Sequence, residues 1–169
     1  MRWIAMLTLL LATIGLKLVF IEHKDTARLL EKGASSPVFE LRALDGAPYD
    51  IAGAYKNRRG VVLLFWATWC PPCRRELQAF KKSHEELTRQ DIEVVAITDE
   101  KPEVVRRYVA ATELPFTVLL DPGGGVGKRF GVSALPSSVA ISRGTVLMSR
   151  VGLDPNFLES LINATRVDH

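Results

Sequence analysis

Cys70 and Cys73 are the only cysteines in a chain of 169 residues, and two prolines separate them. The run Trp66-Ala67-Thr68-Trp69-Cys70-Pro71-Pro72-Cys73-Arg74-Arg75-Glu76 suits dithiol–disulfide chemistry if Cys70 stands at the start of a helix. There the free amide donors and the positive end of the helix dipole stabilise a thiolate, the form that attacks disulfides. Pro71 and Pro72 fit a first helical turn, where backbone N–H groups lack intrahelical partners. Cys73 follows one turn after Cys70. This makes Cys70 the exposed nucleophile and Cys73 the resolving thiol. The prolines also remove two amide donors from around the Cys70 sulfur, so its thiolate is stabilised less than in a strongly oxidising site. That balance favours a reductant.

Other chemistries fit these residues less well. A tetrahedral structural zinc site needs four ligands, and His23, His84 and His169 are scattered without ligand spacing. A purely structural disulfide across so short a loop would constrain the unfolded chain very little. The run Asp121-Pro122-Gly123-Gly124-Gly125 invites a phosphate-loop reading, but it carries neither G-K-[ST] nor G-x-G-x-x-G. Neither a metal nor a cofactor is expected.

The dithiol must be positioned by the elements around it. Residues 61–67 are a continuous apolar run rich in β-branched and aromatic side chains, the pattern of a strand buried on both faces. Beyond the cysteines, Leu77, Phe80, His84 and Leu87 recur on one stripe, which predicts a single helix over 71–90. His84 on that stripe reads as a satisfied, partly buried histidine. Glu76 lies three residues after Cys73, so both side chains share a face, and that face turns toward the buried strand. A partly buried carboxyl has a raised pKa and suits acceptance of the Cys73 proton. The competing reading is a surface glutamate supporting neighbouring Lys or Arg. Farther along, 92–98 predicts a second buried strand, 102–112 a helix, 116–120 a strand and 126–130 a short helix. Residues 135–141 and 145–151 predict an antiparallel pair with its second strand at the sheet edge, and Asp154-Pro155 opens a last helix to about residue 166. Upstream, 39–44 and 48–51 read as a hairpin around Asp45-Gly46. The alternation describes an α/β sandwich with parallel pairing in its first half. Pro136 stands at the mouth of an apolar strand, where proline marks an edge or a special turn.

The motif W-A-T-W-C-P-P-C-R-x-E after a V-V-L-L-F strand resembles the thioredoxin-like proteins of the TlpA, ResA and CcmG (DsbE) class, and the resemblance runs from about Ser36 to the end. It implies a thioredoxin-like fold, with a central mixed sheet flanked by helices and an added N-terminal β-hairpin. The implied activity is that of a membrane-anchored thiol–disulfide oxidoreductase facing the periplasm or its equivalent. The resemblance also implies that Pro136 is cis and faces the dithiol, leaving the backbone of Leu135 free to pair with an extended substrate segment. It supplies the acid at Glu76, whereas thioredoxins proper carry theirs six positions before the first Cys, where this chain has Leu64. The expected catalytic residues are therefore Cys70, Cys73 and Glu76, and the expected docking residues are Trp69, Pro71, Pro72, Leu135 and Pro136. The implied substrates are disulfides in exported proteins, such as apocytochrome c or metal-site assembly proteins. With no further cysteine to relay electrons, a membrane thiol transporter is the implied donor. Two alternatives share parts of this pattern. A peroxiredoxin-like peroxidase needs P-x-x-x-[TS]-x-x-C, and Thr68 is only two residues before Cys70. A disulfide-donating oxidase usually carries a helical insertion, for which the interval 90–135 leaves no room.

Residues 1–21 hold an apolar stretch of about 19 residues, enough to span a bilayer core. Lys17 is near its outer end and can snorkel. No A-x-A-like cleavage site follows, so an uncleaved signal anchor is expected rather than a removed peptide. Export logic then puts the catalytic domain outside the cytoplasmic membrane as a single-pass protein. Residues 22–35 read as a polar spacer with a short helix around 26–32, and 36–169 as one thioredoxin-like domain. Formal net charge is +3, and Arg2 and Lys17 belong to the anchor, so the remainder is near neutral and no nucleic-acid partner is expected. Arg74-Arg75 and Lys81-Lys82 read as the solvated face of the active-site helix. The domain is expected to act as a monomer.

Overall fold

A computed structural model of the chain describes residues 28–167. The fold is a seven-stranded mixed sheet in the order β2-β1-β5-β4-β3-β6-β7. At its centre β3 (Gly60–Phe65), β4 (Ile92–Thr98) and β5 (Thr117–Leu120) run parallel. On one side β6 (Ser137–Ser142) and β7 (Thr145–Val151) continue antiparallel, and on the other β1 (Glu40–Ala43) pairs antiparallel with β5 and with β2 (Pro48–Asp50). Every residue of β3 is buried, as its unbroken apolar run requires.

Alternation along β3 divides the core into two layers. Val62 and Leu64 face one layer with Leu77 and Phe80 of α2 (Pro71–Lys82), Leu87 of α3 (His84–Arg89), Val105 of α4 (Pro102–Thr112) and Leu161 of α6 (Phe157–Val167). Val61, Leu63 and Phe65 face the other with Ile51 and Tyr55 of α1 (Ile51–Asn57), Val126 of α5 (Gly125–Arg129) and Phe130. Both cysteines belong to the first layer.

The hairpin closes as the Asp45-Gly46 pair requires. Gly46 takes φ +93, its N–H donates to the Ala43 carbonyl, and Asp45 accepts from the Ala47 N–H at 2.9 Å. Beyond it, Ile51, read as the end of the second hairpin strand, is instead the first residue of α1. Asp50 caps it by accepting from Ala52 and Gly53 N–H, and Ile51 and Tyr55, one turn apart, bury its inner face. The helix expected over 71–90 is broken at Ser83, which lies at φ −98, ψ 6 between α2 and α3. With no glycine or proline to mark it, the break leaves both Phe80 and Leu87 buried. His84 is half-buried beside Phe116, and its Nδ1 is buried without a hydrogen-bond partner, so it is not satisfied as expected. The glycine run leads into α5, and the amides just beyond it are committed: Asp121 accepts from the Val126 and Gly127 N–H groups.

Residues 28–35 correct the reading of a spacer. Over the described part, they form a non-helical strap along the domain with a turn at Lys32 and Gly33. The Leu30 N–H donates to Phe130, Gly33 donates to Val146, Val146 returns a bond to Ala34, and Leu29 is buried. The strap crosses Gly131 so closely that a Cβ there would lie 2.0 Å from the Arg28 carbonyl oxygen, at φ +75. Only glycine fits that crossing. Residues 1–27, including the proposed anchor, lie outside the described residues, and among the described residues no helix is long and apolar enough to cross a membrane.

Candidate active site

The chain leaves β3 at Phe65 and turns through residues 66–69 into α2. This turn is held by Glu100, whose carboxylate accepts from both the backbone N–H and the hydroxyl of Thr68. Cys70 is the N-cap of α2, at φ −93, ψ 104, with Pro71 and Pro72 in the first turn. Its sulfur accepts from the Cys73 N–H at 3.3 Å. Because the intervening prolines have no N–H, this is the one amide of residues 71–73 available to that sulfur. The two cysteines are joined as a disulfide, with Cα atoms 5.3 Å apart.

Burial differs from the sequence expectation at Cys70. In the disulfide form Cys70 is only 3% exposed and Cys73 is fully buried, whereas Trp69 is 70% exposed. The cap geometry folds the Cys70 sulfur over the helix end toward the Cys73 amide, and the indole is what projects into solvent. Pro71 is exposed and Pro72 half-buried.

Leu135-Pro136 is a cis peptide at the start of β6. Ser137 pairs with Phe65 across the sheet, so Pro136 lies at the edge from which the loop to Cys70 departs. The Gly152 N–H donates to the Pro136 carbonyl at 2.8 Å, which brings the turn after β7 to the same edge. Leu153 in that turn is an exposed apolar side chain that sequence reading passed over. A cavity of about 440 Å³ opens beside Leu135, with Phe65, Asp99 and Asp121 among its walls.

Glu76 is buried, which decides between the two sequence readings of this residue. Its Oε1 accepts a 2.6 Å bond from the Ser138 hydroxyl and forms an ion pair with Arg150 Nη2. Burial pushes the carboxyl above its ordinary range, and the Ser138 hydroxyl and the Arg150 guanidinium pull it partway back. Arg150, like Leu153, Ser138 and Glu100, is a residue of the site that the sequence reading missed. Its only signal was a cation inside an apolar edge strand, and that pattern does not say which face the side chain takes.

A helix-start CxxC beyond the central strand of such a sheet defines the thioredoxin-like class. Residues 33–152 match the AhpC/TSA family, and the chain belongs to that family. Over 142 residues it is 30% identical to the thiol-disulfide oxidoreductase ResA of Halalkalibacterium halodurans, covering 83% of this chain and 80% of the relative. A Chlorobium tepidum structure described as a thiol:disulfide interchange protein DsbE superposes with TM-score 0.74 at 31% identity, over 80% of this chain and 98% of that one. The peroxidoxin BcpB of Mycobacterium tuberculosis shares the fold at TM-score 0.74 and 20% identity, over 83% of this chain and 99% of that one. With its cysteine pair in place, the protein is a thiol-disulfide oxidoreductase.

Proposed function

We propose that the protein reduces disulfides in exported proteins, tethered to the cytoplasmic membrane by residues 1–21 with its domain on the outer side. The observation that carries the reductive direction is the single amide at the Cys70 sulfur. One donor and a helix end stabilise the thiolate modestly, so the reduced form is not strongly favoured over the disulfide. Trp69, Leu135 and Leu153 offer an apolar rim, with Pro71 and Pro72 at its edge, on which an extended substrate segment docks, and Pro136 lies buried behind it. The cavity beside Leu135 takes one of its side chains. Apocytochrome c and metal-site assembly proteins are the example substrates that the resemblance to the TlpA, ResA and CcmG class implies among exported proteins, and a membrane thiol transporter is the donor it implies for restoring the dithiol.

In the reaction the Cys70 thiolate attacks one sulfur of the substrate disulfide, and the other leaves as a thiolate. Cys73 gives its proton to Glu76 and attacks Cys70. The mixed disulfide breaks, the second substrate sulfur leaves and is protonated, and Cys70–Cys73 closes. The substrate gains two electrons and the dithiol loses two.

The family name and the shared fold favour a peroxidase as a second reading. Against it stands Thr68, whose hydroxyl is committed to Glu100 and whose spacing to Cys70 is short. Equilibration with a glutathione buffer tests the reductive direction: a potential at or below about −200 mV is expected. A value near about −120 mV, the range of disulfide-donating oxidases, would overturn it.

A further inference from the structure

We infer that Arg150 is a positioning residue for Glu76, holding the carboxyl in the orientation and charge state from which it serves the resolving cysteine. The inference rests on the proton-acceptor role of Glu76 proposed above and adds the group that controls it.

The placement begins with a β-bulge. From the hairpin end, β6 and β7 pair Ser142 with Thr145 and Ile141 with Val146, and then the register shifts so that Ala140 meets Met148 and Ser138 meets Arg150. Without that extra residue Ser138 would oppose Ser149, and Arg150 would point to the other face of the sheet. Directly opposed residues share a face, so the bulge puts Ser138 and Arg150 together on the face covered by α2. Both reach the same carboxylate oxygen of Glu76. Ser149 on the opposite face donates to the Leu30 carbonyl of the strap.

Arg150 is held on three sides. Its guanidinium carbon lies 4.6 Å from the ring centroid of Phe157, Nη1 donates to the Gly152 carbonyl, and Nη2 holds Glu76. Its side chain is 11% exposed and that of Glu76 3%. Gly152 in turn donates to Pro136, so one arginine ties the carboxyl behind the dithiol to the loop that receives substrate. Among the described residues, the groups that face Glu76 are Cys73 one turn earlier on its own helix, Ser138 from β6 and Arg150 from β7, while Arg74 and Arg75 are exposed.

A buried carboxyl without a cation keeps its proton and cannot accept another; a guanidinium in contact favours the ionised form. Arg150 therefore sets the pH above which Glu76 can take the Cys73 proton. Resolution rate rises with pH through that value, and removing the cation moves the rise to higher pH.

The test follows the second release of nitrobenzoate thiolate when reduced protein reacts with dithiobis(nitrobenzoate), as a function of pH. The first release reports attack by Cys70 and the second reports resolution by Cys73. Arg150→Met is expected to shift the midpoint of the second phase upward by about one pH unit or more, and Arg150→Lys by less. Arg150→Lys keeps the test possible if Arg150→Met fails to fold, and the Glu76→Gln/Arg150→Met double variant, which removes both partners of the ion pair, should lose this titration and resolve at the Glu76→Gln rate. A wild-type midpoint in Arg150→Met and Arg150→Lys, with the titration lost in Glu76→Gln, overturns the inference about Arg150 alone. An unchanged titration in Glu76→Gln overturns the role of Glu76 on which it rests.

Discussion

Cys73→Ser is expected to turn the protein into a trap that attacks once and stops. Reduced wild-type protein should release both nitrobenzoate thiolates from dithiobis(nitrobenzoate). The variant should release one and retain the other on Cys70. A thiol one helical turn away acts at an effective concentration far beyond that of any external thiol, so multiple turnover at millimolar external thiol should fall at least about 10³-fold. The loss is chemical: serine is close to cysteine in volume, and the buried surroundings of residue 73 stay filled. Mass analysis of the adduct should locate it on the Cys70 peptide. Two releases at wild-type speed would show that the resolving nucleophile is elsewhere. With a disulfide-bearing exported protein in place of the reagent, the same variant captures substrate.

Glu76→Gln is expected to slow that second release about 10²-fold while leaving the first nearly unchanged. Glutamine still offers an oxygen to the Ser138 hydroxyl, so the contact seen at 2.6 Å has a replacement. What is lost is the capacity to take a proton. The substitution also leaves Arg150 facing an uncharged partner, which costs on the order of 3 kcal/mol of stability. A thermal melt separates that cost from the kinetic effect, because loss of folded protein lowers both release amplitudes and selective loss of the proton acceptor slows only the second. Equal second-phase rates in the variant and the wild type would remove Glu76 from the mechanism.

The part of this site legible in the sequence was the part written in local chemistry. A strand buried on both faces must be continuously apolar, and 61–67 is; Pro71 and Pro72 announce a first turn, and Cys70 is its cap. Asp45-Gly46 predicted the hairpin that was found. The spacing of Glu76 from Cys73 indicated a shared face, and burial of the carboxyl bears that out. Features set by longer-range geometry were not legible. The face taken by Arg150 depends on a bulge at Ala140/Ile141 that no turn residue marks. Helix α1 is short, and its signal, Asp50 before Ile51 and Tyr55, was hidden by reading 48–51 as strand. The bend at Ser83 keeps the apolar stripe in phase, so periodicity alone cannot reveal it. Residues 28–35 are polar enough to suggest a spacer, yet their backbone groups find partners on Phe130 and β7 and make them part of the domain. The exposed nucleophile was expected at Cys70, but in the disulfide form the neighbouring Trp69 carries the exposure.

Alkylation of the reduced protein by iodoacetamide across pH, with the modified peptide identified by mass, bears most directly on the central claim that a helix-capping thiolate does the chemistry. Cys70 should react first, reaching half its maximal rate below the ordinary thiol value of about 8.5, while Cys73 stays protected. Equal inertness of the two thiols, or faster modification of Cys73, would contradict the account.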